Sequence, residues 1–419
     1  MSIMIKIRRI SMSDLLTVII LFLCTAPFGL SSLIGSTLND IISTYGCLAA
    51  APLALCLLGR SKFSIRNYQF TILFLLFRLL ILLISIVNSE SAAISENVRY
   101  LLLIFAVCLT FEHAIVKNKL NKTIAVTLNL YIFYLIINTA TMLMYPEGVI
   151  SSEIYTTNGL ASRTVKYHFL GYRIYFGFYL IPILGLLFIR RDIFRTSKGI
   201  VLQGLVILDI FLAGSATSIF ALVSFYTVIL WKYVVKKMKI RSKIKLTNPI
   251  LFFAYFLVLL VIVVMNSGAG FRAFVASLFG KSETFTGRTT IWFLALMRIL
   301  ERPIGGSGND DVIFMGGNYW YAHNGVLDLL IQGGIILLAA YVLILIYVYR
   351  NLKCVKGTPV YATSLAITSG FLILMLAESI INYSIMFYAI FVIFGRIGSI
   401  VKKESSRINL DTTGTLEII

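Results

Sequence analysis

The stretch FTILFLLFRLLILLISIVN, residues 70–88, decides the fold class, because its only charged residue is Arg78. A helix of about 20 mostly apolar residues crosses the ~30 Å hydrocarbon core of a bilayer. In that core the backbone must satisfy its own hydrogen bonds, so only helices and closed barrels can span it. The alternating ten-residue segments of barrel strands are absent from this sequence. The stretch therefore predicts a transmembrane helix.

The rest of the chain repeats this pattern. Of its 419 residues, 59% are hydrophobic and 13% charged, whereas ordinary soluble domains are roughly 45–50% apolar. The mean hydropathy is +0.91. We predict an all-α integral membrane protein with about twelve transmembrane helices, embedded in the lipid bilayer. The predicted spans lie near residues 15–34, 41–58, 70–88, 98–116, 123–144, 171–189, 199–213, 216–235, 249–266, 325–349, 361–381 and 384–400.

These spans divide the chain into four parts. Residues 1–266 form an N-terminal bundle of about nine helices, interrupted by an outer loop at 145–170. Residues 267–324 form a large periplasmic loop, 325–400 the C-terminal helices, and 401–419 a cytoplasmic tail. Long ordered loops in compact proteins are usually functional, so both outer loops are candidate sites.

The formal net charge of +19 raises the question of nucleic-acid binding. The basic residues, however, concentrate in alternate loops, most densely between Lys232 and Lys245, whereas opposite loops such as 88–97 are poor in them. This is the pattern of the positive-inside rule, and it predicts that both termini are cytoplasmic. We therefore expect no nucleic-acid partner.

The large loop contains a predicted helix, TGRTTIWFLALMRILERP (286–303). Its apolar residues from Trp292 to Ile299 recur at helical spacing, and Pro303 ends it. We expect this short amphipathic helix to lie along the membrane surface. The following GGSGND (305–310) lacks the lysine of a phosphate-binding P-loop and is interpreted as a turn.

The stretch YAHNGVLDLLIQGG (321–334) places polar residues at the start of an apolar helix. Asn324, Asp328 and Gln332 stand at i, i+4 and i+8, which puts them on one face that should point into a wet cavity. His323 stands at the outer end of this face. It either caps the helix or accepts a proton near neutral pH.

Ionisable residues within spans are costly and require a partner or a function. Asp209, Asp328 and Glu378 all fall in the outer part of predicted helices, which suggests a polar chamber open to the outside. The alternative is that Arg78 pairs with one of these acids only to hold helices together.

Cations cluster on the outer side, where orientation rules disfavour them. Such a group suits an anionic ligand, and guanidinium groups bind phosphate oxygens bidentately. The cations are Arg163, Lys166 and Arg173 in or near the first loop, and Arg272, Lys281, Arg288, Arg298 and Arg302 in the second.

Other chemistries find little support. No other His or Cys stands at ligand spacing from His323, and the adjacent Asp310 and Asp311 form no recognisable metal pair, so we expect no metal or cofactor. A nucleophile elbow is also absent. Four of the five cysteines lie within predicted spans, so a disulfide framework is not indicated.

The succession GRTTIWFLALMRILERPIGGSG, a loop, and HNGVLDLLIQGGIILLAAYV resembles the signature of the O-antigen ligase and Wzy-type polymerase superfamily of bacterial surface-polysaccharide assembly. The similarity covers residues 287 to about 345, and the rest of the chain matches only in hydropathy. Its most specific residues are Arg288 with Trp292, and His323 and Asn324 with Gly333 and Gly334.

The resemblance implies a metal-independent, inverting glycosyltransferase of the bacterial inner membrane. Such enzymes transfer a glycan from undecaprenyl pyrophosphate to an acceptor hydroxyl at the periplasmic face, and a chain-length regulator is a possible partner. By this resemblance Arg288 binds the pyrophosphate and His323 activates the acceptor hydroxyl. General-base catalysis and stabilisation of the leaving group's charge are the chemistry such a transfer needs.

The sequence departs from the ligase pattern in one place. Ligases carry a Ser-Arg-Gly-like motif at the outer start of a middle helix, whereas LAGSATSIFALVSF (212–225) has Ala216 at the arginine position. Arg163 or Arg173 would then supply the second phosphate contact, which favours a polymerase over a ligase acting on lipid A–core. A flippase or transporter of lipid-linked oligosaccharide is the alternative from another class, disfavoured because no pseudo-repeat or broken helix is evident.

Overall fold

The computed structural model describes residues 11–27, 30, 36–59, 64–88, 91–155, 162–237, 246–265, 288–308, 313–315, 318–379 and 384–408. Residues 267–287 of the large loop therefore lie outside the described part, and so do the predictions for Arg272 and Lys281. The C-terminal tail beyond residue 408 also lies outside it.

Helices dominate the described ranges. Their bounds are α1 (Met12–Thr25), α2 (Ser36–Leu58), α3 (Gln69–Asn88), α4 (Ser91–Val116), α5 (Leu120–Met144), α6 (Phe176–Ile189), α7 (Arg191–Phe194), α8 (Ser197–Ala213), α9 (Ala216–Lys237), α10 (Asn248–Met265), α11 (Arg288–Glu301), α12 (Gly325–Asn351), α13 (Pro359–Ala377) and α14 (Ile385–Ile408).

A helix overlaps each of the predicted spans. Among the described residues, six helical stretches are long and apolar enough to cross a bilayer, and five shorter apolar helices accompany them. The protein is therefore a largely helical, multi-pass membrane protein, while the total of twelve crossings stays a prediction. The six stretches are Gln69–Asn88, Ile94–Val116, Leu120–Met144, Ala216–Val235, Gly325–Val355 and Pro359–Ala377.

The first helix is shorter than its predicted span, 15–34. It begins at a capping box in which Ser11 and Asp14 bond each other's backbone N–H, and it ends at Thr25. Ala26 is extended, with ψ of 124°, because a residue before proline, here Pro27, is disfavoured in the helical region. The span predicted from apolar residues alone did not include this helix end at Thr25.

Arg78 lies within the bundle rather than at a lipid-facing surface. Its side chain is 1% exposed, and its guanidinium carbon lies 5.6 Å from the ring centroid of Tyr100. It also hydrogen-bonds Tyr388, and the nearby acid whose charge acts on it is Glu96. Its described neighbours Tyr100 and Tyr388 are aromatic, in keeping with a structural role in holding α3, α4 and α14 together.

Two small antiparallel sheets occupy the two loops that the sequence predicts to be outer, where it predicted no strands. The first contains β1 (Ile150–Tyr155), β2 (Ser162–His168) and β3 (Gly171–Tyr172), with Ile154 opposite Arg163. The second pairs β4 (Ile313–Met315) with β5 (Asn318–Trp320). The fold is therefore all-α only in its membrane part. β-Branched and aromatic residues such as Val165 and Tyr167 were the available signal for β2.

Candidate active site

The site is built around the N-terminus of α12. Asn324 is the N-cap: its Oδ1 accepts hydrogen bonds from the N–H groups of Val326 at 3.0 Å and Leu327 at 3.1 Å. These donors have no partner within the helix, so the cap satisfies them. Its Nδ2 donates to the Leu376 carbonyl at 2.9 Å, near the end of α13. The cap is thus Asn324 and not His323.

The backbone before the cap is held from two sides at Ala322. The Ala322 N–H donates to Asp328 Oδ1 at 3.0 Å, and its carbonyl accepts from Trp292 Nε1 at 2.9 Å. His323 follows with φ of +48°. A left-handed conformation costs a residue with a side chain about 1–2 kcal/mol. Surrounding contacts therefore hold His323 in a strained orientation, which is characteristic of functional positions.

The imidazole of His323 meets a buried carboxylate. Nδ1 of His323 lies 3.0 Å from Glu378 Oε2, and the two side chains are 26% and 3% exposed. Glu378 is the C-cap of α13 and has extended backbone angles, with its N–H donating to the Leu374 carbonyl. The arrangement places a partly exposed imidazole, a group capable of accepting a proton, in direct contact with a buried carboxyl group.

A third contact joins the same two segments, because Ser379 Oγ donates to Asp328 Oδ2. Residues 322–328 and 376–379 are therefore connected by side-chain hydrogen bonds of Asn324, His323 and Asp328. We call this set, with Glu378 and Ser379, the His323 cluster. The sequence predicted four of its members but neither Ser379 nor the pairing of His323 with Glu378.

Helix α11 packs against the outer part of α12. Trp292 and Ala295 are buried, as the predicted stripe requires. The opposite face is also apolar, with Phe293 61% and Leu300 71% exposed, so the expected polar outer face is incomplete. This helix and α12 share a small separate core of Ile291, Trp292, Ala295, Ala322, Leu327 and Ile331.

Helix α12 is broken at Gly333 and Gly334. Gly334 has φ of 58° and ψ of −156°, which is accessible essentially only to glycine. Backbone hydrogen bonds join residues 303–308 to this break. From the sequence, the glycine-rich part of this segment was interpreted only as a turn. The hydrogen bonds run from Ser307 N to Ile331 O at 2.7 Å, from Gly308 N to Gln332 O at 3.0 Å and from Ile335 N to Pro303 O at 2.9 Å. The break therefore connects the turn after α11 to the site-bearing helix.

The remaining predicted residue of this face is Gln332, one turn beyond Asp328. Its Oε1 is buried and makes no hydrogen bond among the described residues. Asn324 and Asp328 are 0% and 6% exposed, so both side chains point into the protein. Whether these residues line a cavity stays a prediction.

Asp209 occupies a different polar junction. It is 0% exposed, and its oxygens accept from Asn138 Nδ2 at 2.8 Å and Thr139 Oγ1 at 2.5 Å. Asn138 Oδ1 in turn accepts from the Leu170 N–H at 2.8 Å. These contacts fasten α5, α8 and the outer loop to one another. They give no support to the prediction that Asp209 shares a chamber with Asp328 and Glu378.

The predicted phosphate-binding arginines are only partly described. Arg288 is the first residue of α11 and Arg163 lies in β2, but both side chains are outside the described residues. Arg173 is half-buried, and its charge acts on Glu147 and His168. Any joint phosphate site formed by these arginines stays a prediction.

The sheet of the first outer loop contains a buried histidine. His168 is 3% exposed, and burial, together with the charges of Arg173 and Lys166, lowers its pKa below the ordinary value. The folded state therefore binds fewer protons than the unfolded chain at mildly acidic pH. Stability is full above about pH 6.5 and decreases as pH falls below it.

We expect the thermal unfolding midpoint of the detergent-solubilised protein to fall between pH 7.5 and pH 5.5. In the His168→Gln variant, which cannot gain this proton, the fall should be smaller. Lys166 pairs with Glu147 at 2.7 Å, and that interaction is lost only at more acidic pH, because the pairing lowers the Glu147 pKa. An equal pH dependence in wild type and variant would contradict the role of His168.

Comparison with protein-family models identifies one matching domain. Residues 201–342 match the model described as O-Antigen ligase, over about a third of the chain. A comparison with curated proteins found no match. The matched segment runs from α8 into α12 and contains Arg288, Trp292, His323 and Asn324, whereas Glu378 lies beyond it. The resemblance noted in the sequence is thus confirmed for this segment: residues 201–342 form an O-antigen ligase-family domain of the O-antigen ligase/Wzy superfamily.

Proposed function

We propose that the protein is an O-antigen or related surface-polysaccharide polymerase of the bacterial inner membrane. It transfers the growing glycan from undecaprenyl pyrophosphate to a hydroxyl of the next lipid-linked repeat unit at the periplasmic face. Both termini are cytoplasmic in this proposal, and a chain-length regulator is the proposed protein partner. The observation that carries it is the His323–Glu378 contact at 3.0 Å, whose histidine lies in the family-matching segment.

The proposed chemistry assigns one task to each of two residues of the motif, His323 and Arg288. His323 takes the proton of the acceptor hydroxyl as that oxygen bonds the anomeric carbon. The bond from this carbon to the phosphate oxygen breaks, and its electron pair leaves with undecaprenyl pyrophosphate. Arg288 stabilises the negative charge that grows on this leaving group, since a guanidinium matches phosphate oxygens bidentately.

Substitution of Arg288 tests the leaving-group role. We expect Arg288→Ala to lower polymer formation by roughly 10²-fold, the loss typical of removing one charge-stabilising donor. Arg288→Lys should retain part of the activity, because the charge remains but the bidentate fork is lost. The measurement is the rate of polymer formation from purified lipid-linked repeat unit in proteoliposomes.

Helix α11 offers a matched control for Arg288. Arg298 was grouped from the sequence with the outer cations, but its guanidinium is engaged in a salt bridge with Glu301 on the same helix. Surface pairs of this kind contribute little to stability. Arg298→Ala should therefore polymerise nearly as well as wild type. A lysine variant at 288 with full activity would contradict bidentate phosphate binding.

The ligase alternative predicts a different product. A strain without a polymerase still exports surface lipid carrying single repeat units, whereas a strain without a ligase exports none and accumulates lipid-linked polymer. Ala216, at the start of α9 where ligases carry an arginine, favours the polymerase. Single repeat units on the surface lipid of a null strain would support this choice.

The transporter alternative gains one feature, because α12 is broken where the sequence suggested an unbroken helix. The broken-helix argument against transport was therefore wrong. However, residues on both sides of the break in α12 are hydrogen-bonded to the turn at 303–308. These bonds explain the break structurally, without a transported ligand. Purified protein that moves labelled lipid-linked sugar across liposomes without forming a glycosidic bond would decide for transport.

A further inference from the structure

We infer that Glu378 is a positioning residue for His323. Its carboxylate fixes the tautomer and orientation of the imidazole and stabilises the imidazolium that forms during transfer. This inference rests on the proposed function, and it adds a role for a residue that lies outside the family-matching segment.

The contact specifies the tautomer if Glu378 is ionised, as the proposed role requires. An ionised carboxylate only accepts hydrogen bonds, so the ring nitrogen 3.0 Å from Glu378 Oε2, Nδ1, must carry a proton. In the neutral ring Nε2 is then the nitrogen with the basic lone pair. The exposed fractions of the two side chains agree with this assignment of the two ring nitrogens, since the His323 side chain is 26% exposed and the Glu378 side chain 3%. The ring faces outward from a carboxylate that remains inside the protein.

The backbone around Glu378 is fixed relative to the ring. The Glu378 N–H donates to Leu374 O at 2.9 Å, while the neighbouring carbonyl of Leu376 accepts from the Asn324 side chain at 2.9 Å. On the other side Ser379 bonds Asp328. The backbone that carries the carboxylate is therefore held in place by contacts on both sides of Glu378.

Other ionisable groups face the pair from neighbouring elements. Asp328 of α12 interacts electrostatically with His323. Its two carboxylate oxygens accept hydrogen bonds from the Ala322 N–H and the Ser379 hydroxyl. Tyr175 interacts with Glu378 and with Tyr321. Glu378 hydrogen-bonds the imidazole directly at Nδ1, and this contact lets it set the tautomer.

The proton balance follows directly. The acceptor O–H bond breaks, its proton goes to Nε2, and the acceptor oxygen bonds the anomeric carbon while the pyrophosphate leaves with the electron pair of the broken bond. Glu378 stays ionised opposite the imidazolium. Its contribution is orientation and electrostatic stabilisation, not proton transfer.

The test compares Glu378→Gln with Glu378→Asp in proteoliposomes supplied with lipid-linked repeat unit over a range of pH. The glutamine keeps the size but removes the charge, and its amide can donate to Nδ1 and favour the wrong tautomer. We expect kcat to fall roughly 10- to 100-fold, as for other residues that orient a functional histidine, with little change in KM. The shape of the pH–rate profile should also change, because the carboxylate that contacts the imidazole has lost its charge.

Glu378→Asp should retain more activity than the glutamine variant and keep the wild-type pH profile. Glu301→Gln is the matched control, since Glu301 is a partly exposed acid at the end of α11, and its rate and profile should be normal. In the double variant with His323→Ala, the glutamine should cost almost nothing further, because the two residues act as a unit.

A purely structural role would lower yield without moving the pH profile, and full additivity in the double variant would overturn the inference. So would a glutamine variant with normal kcat and an unshifted profile while His323→Ala is inactive. If His323→Ala itself polymerises normally, the proposed function fails instead. Should the glutamine variant not accumulate, Glu378→Asp takes its place in the cycle, with the same expectation of non-additivity.

Discussion

Replacement of His323 by alanine is expected to lower polymer formation by roughly 10²- to 10⁴-fold, the range that a positioned general base contributes. The imidazole lies against Glu378, and the Ala322 and Asn324 contacts hold its backbone in place. Because the alanine removes only the ring, these backbone contacts and the fold should persist. The measurement is polymer formation in vitro, together with the distribution of polysaccharide lengths in a complemented null strain.

A second histidine provides the control. His113, in α4, forms a hydrogen bond with the Tyr68 hydroxyl and has no place in the proposed chemistry. His113→Ala should therefore support near-normal polymer formation. Long polysaccharide made by His323→Ala at wild-type protein levels would refute the general-base assignment.

The largest expected effect on folding comes from Gly334→Ala. An added Cβ would lie 2.3 Å from the Ile304 carbonyl oxygen and 2.6 Å from that of Pro303, and these backbone atoms have little room to move. The strained φ/ψ angles add about 1–3 kcal/mol and the steric overlap about as much again, so we expect a loss of about 2–6 kcal/mol. The variant should show a markedly lower thermal unfolding midpoint in detergent, or fail to accumulate.

The same turn contains a matched glycine. A Cβ added at Gly305 meets no atom within 4 Å, so Gly305→Ala should unfold close to the wild-type temperature. Similar midpoints for Gly334→Ala and Gly305→Ala would contradict the close approach of the turn to the broken helix.

Hydropathy located the helices well but not all their ends. The span predicted at 70–88 corresponds to the helix Gln69–Asn88, because burial in lipid requires an unbroken apolar run that composition reveals directly. The end of α1 at Thr25 depended instead on the local backbone restriction imposed by Pro27. Outer-loop strands were missed because short strands in polar loops carry a weak pattern.

For the site, sequence spacing placed Asn324 and Asp328 on one inward face, since both lie on a single helix. The pairing of His323 with Glu378 could not be predicted, because these residues are 55 positions apart and only tertiary packing joins them. Asp209 illustrates the opposite limit. Its position near one end of a helix could be predicted from the sequence, but the direction of its side chain depended on how α8 is rotated against α5.

The break at Gly333 and Gly334 has a consequence for the design of chimeras between this protein and others that carry the matching domain. The segment of α12 before the break is hydrogen-bonded to the turn at 303–308 on one side and to residues 376–379 on the other, and Ile335 and Ile336 after the break also donate to this turn. A chimera joined at Gly325, the apparent start of the helix, would separate hydrogen-bonded partners. Exchange of 288–336 as one cassette, with 376–379 carried along, keeps these hydrogen bonds within the exchanged part, so such a chimera should fold better than one joined at Gly325.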